Sequence, residues 1–141
     1  MKLVVDNSVV MRWLFNDGSL ADKAYAAEVA SLVETSDVSV PDLFIAEAAN
    51  VISRALKGNV ISHQDSAVCF DLINEMAATV VSSKNANSIK LLTLRAFDDK
   101  LSAYDASYLL LAEELACPLA TLDQDLRKAA VKRGVALACL G

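Results

Sequence analysis

The sequence predicts a single α/β domain over residues 1–141, with a central, mostly parallel sheet of about five strands flanked by helices. Short β-branched or apolar runs alternate with longer stretches of helical periodicity, which is the pattern of parallel α/β folds. The chain has 141 residues and is 55% hydrophobic, so it contains enough apolar material for one core. No internal repeat or low-complexity linker divides it. We therefore expect one domain with one functional site.

Five short runs predict the strands, at residues 3–5, 38–40, 79–81, 119–121 and 135–140. The patterns between them predict helices at residues 8–15, 20–35, 42–57, 62–77, 85–97, 102–116 and 124–133. Several helices have recognisable ends. Ser62 and Asp65 form an S-x-x-D helix start, while Gly58 and Gly134 stand where glycines commonly end helices. In such folds, ligands bind beyond the carboxyl ends of the strands.

Composition excludes several protein classes. No apolar run reaches the roughly 18 residues of a membrane-spanning helix, and Asp6 interrupts the N-terminus where a signal peptide would stay apolar. We therefore expect a cytoplasmic protein without membrane contact. The cysteines Cys69, Cys117 and Cys139 are odd in number and not spaced as zinc ligands. Core packing is the expected role of all three.

The net charge bears on the partner. A formal net charge of −5 disfavours a nucleic-acid partner, because phosphates favour basic surfaces. The objection weakens if several acids bind metal cations, which would cancel their charge. Four basic residues on a late helix predict either a local positive patch or a solvated helix face: Arg127, Lys128, Lys132 and Arg133.

Two acids directly follow predicted strands. Asp6 comes after the first strand and Asp123 after the fourth, so both are expected at the carboxyl edge of the sheet. Asp125 lies two residues further on and is an alternative to Asp123. Aspartate is also a good helix N-cap, so each of these acids has a purely structural explanation.

Two further acids interrupt apolar helical stretches. Glu47 is the only charge in residues 43–53, and Asp105 is the only charge in residues 101–112. A helix that is apolar nearly all round is expected to be buried, and a buried carboxylate must be paired, protonated or bound to metal. Arg54 could pair with Glu47 only by reaching back two turns. For Asp105, the preceding Ser102 offers a capping box as the structural alternative.

Four carboxylates at one sheet edge would repel one another unless a cation joined them. A hard divalent ion such as Mg²⁺ or Mn²⁺ suits an all-oxygen ligand set, and it can activate water and stabilise a phosphoryl transition state. His63, the only histidine, lies far from these acids in sequence and is expected at the surface. No P-loop, GxGxxG or GxSxG motif is present.

These motifs together resemble the PIN domain, and in particular the VapC toxins of toxin–antitoxin pairs. The resemblance covers nearly the whole chain and rests on four segments: LVVDNSV at residues 3–9, PDLFIAEAANVI at 41–52, LSAYDASYL at 101–109 and LATLD at 119–123. The second segment is the most specific, because it is similar to the family's Pro-x-L-x-x-x-E-x-x-N-x-L pattern.

The resemblance implies a set of site residues. The catalytic, metal-binding acids are expected to be Asp6, Glu47, Asp105 and Asp123. The expected supporting polar residues are Asn7, Ser8 and Thr121, and Asp125 is an alternative contact to the metal.

The resemblance also implies an activity and partners. The expected activity is Mg²⁺- or Mn²⁺-dependent endonucleolytic cleavage of RNA, in which metal-activated water attacks a phosphodiester. The expected partners are the RNA substrate, a second copy of the chain in a homodimer, and a cognate antitoxin that covers the active groove.

Three other interpretations compete with this one. A PIN-like domain that has lost catalysis could act through RNA or protein contacts, because a fold does not determine function. A carboxylate-metal phosphatase would need a D-x-D motif, which Asp6 and its following Asn7 and Ser8 do not provide. A purely structural account makes every acid a cap or an ion pair, but it leaves Glu47 unexplained, because a mid-helix residue has no capping role.

Overall fold

The computed structural model describes residues 1–140 and has the predicted fold, a single α/β domain with helices flanking a parallel sheet. The strands are β1 (Lys2–Val5), β2 (Asp37–Pro41), β3 (Thr79–Val81) and β4 (Leu119–Ala120). The helices are α1 (Asn7–Leu14), α2 (Leu20–Val33), α3 (Leu43–Lys57), α4 (His63–Met76), α5 (Ile89–Asp99), α6 (Ala103–Leu115) and α7 (Gln124–Lys132).

The sheet has the strand order β3-β2-β1-β4, and every pairing is parallel. The chain moves outward from β1 through β2 to β3 and then returns to place β4 on the other side of β1. The order therefore reverses between β1 and β4, where Val5 pairs with Ala120. A crevice at such a reversal, beyond the carboxyl ends of the strands, is the usual binding site of open α/β sheets.

The prediction of a fifth strand at residues 135–140 is wrong. In this segment only Leu137 forms a bridge, which pairs it in parallel with Leu119. Two backbone hydrogen bonds make this bridge: Leu119 donates to the carbonyl of Ala136, and Ala138 donates to the carbonyl of Leu119. The reason lies in β4, which has only two residues. A strand that short offers its outer neighbour a single pairing position, so the segment cannot extend into a regular strand.

The core is built on β1 and α6. Residues 3–5 of β1 are completely buried, because β1 is covered on both faces and paired on both edges. Helix α6 is buried at every position from Ala106 to Ala112, and it contacts β1, β2 and β4 as well as α5 and α7. A helix with such a continuous buried run is expected to be the central one of its layer. The start of α6 is thereby fixed relative to the ends of β1 and β4.

Helix boundaries mostly follow the sequence signals. Ser62 and Asp65 form both bonds of the capping box at the start of α4, and Gly58 is the C-cap of α3. Helix α5 begins at Ile89 rather than at residue 85, because the Ser88 hydroxyl accepts the backbone N–H of Leu91 and caps the helix there. The preceding residues form turns instead.

The expected burial of the cysteines is only partly confirmed. The cysteines are free thiols, and Cys69 and Cys117 are buried as expected, but Cys139 is exposed. Its backbone lies in the left-handed region near the end of the chain, beyond the last helix, where the core no longer covers it. Among the described residues, no helix combines the length and the apolar character needed to cross a membrane.

The carboxylate of Asp99 joins α5 to α7. Its side chain is 0% exposed and accepts hydrogen bonds from Lys132 Nζ at 3.0 Å and from Arg133 Nη2 at 2.9 Å. Arg95, one turn earlier on α5, approaches Asp99 at 3.6 Å and also pairs with Glu113 of α6. The hydrogen bonds from Arg133, followed by those from Lys132, hold the pKa of Asp99 below its usual value.

This network changes the interpretation of the basic residues on α7. Lys132 and Arg133 are occupied by Asp99. Arg127 donates from Nε to the carbonyl of Thr121 at 2.8 Å and lies 4.6 Å from the centre of the Tyr25 ring. Three of the four cations therefore have partners inside the domain, whereas Lys128 is exposed and forms no ion pair with a described residue. Most of their charge is used inside the domain.

Replacing Asp99 by Asn is expected to lower the free energy of unfolding by about 2 kcal/mol at pH 7, because the cations around it lose their counter-charge. Since the folded state lowers the pKa of Asp99, its stabilisation is present above about pH 4 and is lost as the pH falls through the folded value. The difference between the variant and the original protein should therefore shrink towards pH 3. Urea unfolding at both pH values measures this.

Asp98→Asn is the matched control, because Asp98 is exposed and forms no ion pair with any described residue. It should change the free energy of unfolding by less than about 0.5 kcal/mol at either pH. Equal losses in the two variants at pH 7 would show that the Asp99 network contributes nothing.

Candidate functional site

Asp6 lies at the carboxyl end of β1, directly beside the reversal of strand order. Asp6 is only 4% exposed to solvent. It occupies the N-cap position of α1, but its side chain accepts no capping hydrogen bond from that helix. Instead, Ser8 Oγ and Thr121 Oγ1 both donate to its Oδ2 atom at 2.7 Å. The structural explanation of Asp6 as a helix cap is therefore wrong, and its Oδ1 atom is not engaged by either hydroxyl.

The two hydroxyls also tie the end of β1 to the segment that follows β4. Ser8 Oγ accepts the backbone N–H of Leu122 at 3.0 Å, and Thr121 Oγ1 accepts that of Asp123 at 3.1 Å. Thr121 is completely buried. Each hydroxyl thus donates to a carboxylate and accepts from a backbone amide, which satisfies both roles of the group. One of the two residues that fix the orientation of Asp6, Thr121, lies 115 positions away in the sequence.

Glu47 projects from the middle of α3 and is half-buried. Its Oε1 atom accepts a hydrogen bond of 2.6 Å from the hydroxyl of Tyr108, a residue of α6 that is 0% exposed. Helix α3 buries only one face, at Phe44, Ala48, Ile52 and Ala55, so the expectation of an entirely buried helix is wrong. Some of the apolar residues of α3 are small and face solvent. Glu47 therefore lies at the surface of a groove and not inside the core.

Arg54 does not neutralise Glu47. It is exposed and forms no ion pair with any residue of 1–140. The two turns that separate the pair place their side-chain bases roughly 10 Å apart along the helix axis. Glu47 is therefore held by the neutral hydroxyl of Tyr108 and not by a counter-charge.

Asp105 occupies the first turn of α6 and is half-buried. The hydroxyl of Ser102 caps its backbone N–H at 3.0 Å, so the serine half of the predicted capping box is present. Burial of the carboxyl is the largest cause of a raised pKa of Asp105, and the negative charges of Asp6 and Asp123 add to it. Together they raise this pKa to about 6. The Ser102 hydroxyl offsets only part of this rise.

Asp123 is the N-cap of α7, with its Oδ1 atom accepting the backbone N–H of Leu126 at 2.8 Å. It therefore has the structural role that the sequence allowed, and the cap engages only one of its two oxygens. Asp125 is exposed, and its charge is the weakest of the acid effects on the pKa of Asp105. Of the two neighbouring acids, Asp123 has the larger effect on the pKa of Asp105.

The four acids form one electrostatic group. Burial is the largest cause of the raised pKa of Asp6, and the charge of Glu47 adds to it. Burial likewise raises the pKa of Glu47, with the charge of Asp105 adding to it and the Tyr108 hydrogen bond opposing it. Each carboxylate thus makes ionisation of a neighbour less favourable. We call Asp6, Glu47, Asp105 and Asp123 the carboxylate cluster.

A groove of 620 Å³ opens beside the carboxylate cluster. It is lined by Asn7, Ala46, Glu47, Asn50, Val51, Arg54 and Tyr104. The Oδ1 atom of Asn7 is buried and has no hydrogen-bond partner among the described residues. A buried amide oxygen without a donor is costly, and a cation or a donor group of a ligand would satisfy it.

The donor set fits a hard divalent cation. Carboxylate and amide oxygens are the ligands that Mg²⁺ and Mn²⁺ prefer, and the exposed His63 lies on α4, outside the cluster. In the part of the chain that the structure describes, no three Asp, Glu, His or Cys side chains are arranged as a complete ligand set. The donor types therefore fit such a cation, whereas the four carboxylates are not already arranged around one position.

Tyr108 is the residue of this site that sequence reasoning missed. It lies in an apolar helical stretch, where a tyrosine is most simply explained as core packing, and its 0% exposure agrees with that. The available signal was the hydroxyl itself, since a buried tyrosine O–H requires an acceptor. That the acceptor is Glu47, 61 positions earlier, depends on how α3 and α6 pack and not on sequence spacing.

Comparison with known proteins gives a matching family and several similar solved structures. The PIN domain family matches residues 3–132 of the chain. The crystal structure of PAE2754 from Pyrobaculum aerophilum is similar, with 20% sequence identity, a TM-score of 0.63, and coverage of 92% of this chain and 87% of that chain. At this identity the likeness shows the fold alone. Comparison with curated proteins gives no match.

Asp105→Asn is expected to stabilise the metal-free protein at pH 8 by about 1 kcal/mol, a value reduced for screening because the side chain is half-exposed. The folded pKa of about 6 lies above the unfolded value of about 3.9, so the unmodified protein loses stability as the pH rises through 6. The advantage of the variant should therefore shrink to a small value near pH 4, where folded Asp105 is neutral and the unfolded form is about half ionised. Thermal unfolding in EDTA between pH 4 and 8 measures it.

The exposed Asp71 on α4 provides the control. Asp71→Asn should show no growing advantage as the pH rises. A destabilised Asp105→Asn protein at pH 8 would contradict the electrostatic account of the cluster.

Tyr108→Phe removes only the hydroxyl that holds Glu47. We expect the affinity for Mn²⁺ to fall by about 10-fold, because groups that orient metal ligands typically have effects of this size. We also expect the free energy of unfolding in EDTA to fall by about 1 to 2 kcal/mol through the lost hydrogen bond. Calorimetric titration with Mn²⁺ and urea unfolding give the two values.

Tyr25→Phe separates positioning from general destabilisation. The hydroxyl of Tyr25 is also buried and donates to the carbonyl of Ala138 at 2.9 Å, and not to any of the four acids. This variant should lose comparable stability and keep its Mn²⁺ affinity. If both variants lose Mn²⁺ affinity equally, Tyr108 has no specific role in positioning Glu47.

Proposed function

The chain belongs to the PIN domain family, and from this we propose that it is a Mg²⁺- or Mn²⁺-dependent endoribonuclease whose active centre is the carboxylate cluster. PIN domains are generally nucleases, and the family also suggests RNA as the partner. Metal dependence, the endonucleolytic mode and the identity of the site residues are the parts that we propose.

The observation that carries the proposal is a group of carboxylates without counter-charges, in which burial and neighbouring negative charges raise the pKa values of Asp6, Glu47 and Asp105. Burial and the charges of Asp6 and Asp123 raise the pKa of Asp105 to about 6, so at neutral pH the cluster carries negative charges that oppose one another. A structural role for these acids would favour counter-charges, as around Asp99, but Glu47 has only a tyrosine hydroxyl. Uncompensated, partly buried acids at a sheet edge are typical of a functional site.

The residues would hold the ion through the oxygens that their fixed hydrogen bonds leave available. The hydroxyls of Ser8 and Thr121 engage Oδ2 of Asp6, and that of Tyr108 engages Oε1 of Glu47, so each acid keeps a second oxygen. The α7 cap likewise engages only Oδ1 of Asp123. When bound, the ion would neutralise the cluster, activate water and stabilise negative charge on the phosphate.

The chain's own residues then position the reacting groups. Hydrogen bonds fix the orientations of Asp6 and Glu47, and Asp105 is carried by the first turn of α6. With the cluster neutralised, an anionic phosphodiester can approach a site that would otherwise repel it. The acids hold the ion and need not transfer protons themselves.

We further propose that the protein is the toxin of a VapBC-type pair, a cytoplasmic homodimer inhibited by a cognate antitoxin. The support is that PIN domains are often VapC toxins. An open groove beside the cluster also offers the place where an inhibitory segment would block access. A PIN-like module without catalysis, acting through RNA or protein contacts, is the alternative that the cleavage experiment decides.

Asp105→Asn is expected to reduce RNA cleavage by at least about 100-fold, because it removes a ligand charge without changing the volume. The measurement uses a panel of transfer RNA and mixed single strands with Mg²⁺, with Mn²⁺ and with EDTA. We expect cleavage with either ion and none with EDTA. Metal-independent cleavage, or full activity in the variant, would refute the proposed centre.

A matched pair distinguishes the two late acids. Asp123→Asn retains the helix cap, because Asn caps as well as Asp, but it removes the charge; Asp125→Asn changes an exposed residue two positions away. The first should lose cleavage and the second should retain most of it. The reverse result would show that Asp125, and not Asp123, is the fourth acid of the proposed active centre.

A further inference from the structure

The segment 121–123, between β4 and α7, carries two residues that shape the carboxylate cluster. Thr121 donates to Asp6, and Asp123 is itself one of the four acids. Strand β4 ends at Ala120, which pairs with Val5, so the regular pairing with β1 stops one residue before Thr121. The positions of Thr121 and Asp123 therefore depend on contacts other than the strand ladder.

Arg127 of α7 contacts both ends of this segment. Its backbone N–H donates to the carbonyl of Asp123 at 2.9 Å, which is the ordinary bond of a first helical turn. Its side-chain Nε donates to the carbonyl of Thr121 at 2.8 Å. This second bond runs back across six positions to a residue outside the helix, so it is not part of the helix ladder. Arg127 thus holds the segment at its first and last carbonyls.

Tyr25 of α2 holds the guanidinium of Arg127. The guanidinium carbon lies over the Tyr25 ring, 4.6 Å from its centre, and Tyr25 is buried. A cation over an aromatic face is attracted by the ring quadrupole, and more strongly where water is partly excluded. The ring makes this contact and the hydroxyl does not, so Tyr25→Phe retains it. The stack limits the rotation of the Arg127 side chain and keeps its Nε directed at Thr121.

The charge of Arg127 is not used in an ion pair. Arg127 is half-buried and has no acid partner within residues 1–140, whereas Lys132 and Arg133 of the same region bind Asp99. A planar guanidinium can lie flat on a ring and donate from its edge to a carbonyl at the same time, which a lysine ammonium cannot do. Arg127 is therefore suited to holding a backbone carbonyl in one orientation.

We propose that Arg127 is a positioning residue of the carboxylate cluster: stacked on Tyr25, it fixes the peptide of Thr121 and thereby the hydroxyl that orients Asp6. This inference rests on the proposed function, because it concerns how the same acids are held for a metal ion. It goes further by assigning a role to a residue whose side chain forms no hydrogen bond or ion pair with any of the four acids among the described residues.

A change in the Thr121 peptide would reach two acids at once. The Thr121 hydroxyl donates to Oδ2 of Asp6 at 2.7 Å and accepts the backbone N–H of Asp123 at 3.1 Å. If the peptide turned, these two bonds could not both keep their lengths, because one oxygen atom forms both. Ser8 would then have to orient Asp6 without Thr121. The bond from Arg127 to the Thr121 carbonyl opposes that turn.

The test compares Arg127→Lys and Arg127→Met with the original protein. Lysine keeps the charge but loses the planar group, whereas methionine has a similar length and loses both the charge and the donors. Because Arg127 is partly exposed, both variants are expected to fold, and urea unfolding checks this. Arg133→Lys is the matched control, since Arg133 follows the same helix and binds Asp99 instead of the segment.

The first measurement is hydrogen exchange of the full chain in EDTA, which requires neither metal nor activity. The backbone N–H groups of Leu122 and Asp123 donate to the hydroxyls of Ser8 and Thr121. Both Arg127 variants should speed the exchange of these two amides by at least about 5-fold, the ratio expected for one lost hydrogen bond. The amides of the buried β1 should change less, and the control should leave Leu122 and Asp123 protected.

The second measurement is calorimetric titration with Mn²⁺. Both Arg127 variants should raise the Kd by about 10-fold, as is typical of groups that orient metal ligands, and the control should not. Cleavage assays at saturating Mn²⁺ should then show a lower kcat with little change in the KM for RNA. This split is expected because Arg127 acts through the metal ligands and does not bind the substrate.

Unchanged exchange of Leu122 and Asp123 in both variants would overturn the inference. It would also be overturned if Arg127→Lys matched the original protein in exchange and in Mn²⁺ affinity, because the charge alone would then suffice. A raised KM with unchanged Mn²⁺ affinity would make Arg127 a substrate contact and not a positioning residue.

Failure of the proposed function has a different signature. An original protein that binds no Mn²⁺ or cleaves no RNA would refute the nuclease. Faster exchange of Leu122 and Asp123 in both Arg127 variants, with an unchanged control, would still support the role of Arg127 in holding the segment.

Discussion

The hydrogen bonds that Ser8 and Thr121 donate to Asp6 are the constraint on which the site depends. They join the end of β1 to the residues after β4, at the point where the strand order reverses. The same hydroxyls accept the backbone N–H groups of Leu122 and Asp123, so the chain that leads into α7 is held by the same two side chains. One buried carboxylate therefore orients two elements, and the N-cap at Asp123 follows from that arrangement.

The cost of this arrangement is electrostatic. Asp6 is buried beside other acids, and its pKa is raised in spite of two hydroxyl donors. Asp99 is the useful contrast, because its carboxylate is covered by cations and its pKa is lowered by Arg133 and Lys132. The same domain thus contains one acid compensated by cations and a cluster that is not. Stability selects the first arrangement, whereas the second is explained by a ligand that brings its own positive charge.

Much of the fold followed from the sequence because local patterns sufficed for it. Apolar runs located the four strands, and side-chain caps such as Ser62 located helix starts. The positions of Asp6 and Asp123 at strand ends also followed, since parallel strands bring their carboxyl ends to one edge. The fifth strand did not follow, because its length depends on how many residues of β4 remain available for pairing, and β4 has only two.

Features that depend on tertiary packing could not be read from the pattern. The bond between Tyr108 and Glu47 requires α3 and α6 to pack with those two residues facing one another. Likewise, α3 has an apolar composition but exposes part of its surface, because packing covers only one of its faces. Sequence periodicity gives the face of a helix, but it does not say how much of that face another element covers.

The acidic net charge does not decide whether RNA is a partner, because charge acts locally within about a Debye length, roughly 10 Å at ordinary salt. Most of the basic residues on α7 are used inside the domain: Lys132 and Arg133 bind Asp99, and Arg127 bonds to a backbone carbonyl. Counting them as a binding surface would therefore overestimate the positive charge there. Arg54 is different, since it is exposed beside the cluster without an ion-pair partner in residues 1–140. A phosphate group in the groove beside the cluster would therefore meet one exposed cation that no acid of the described residues neutralises.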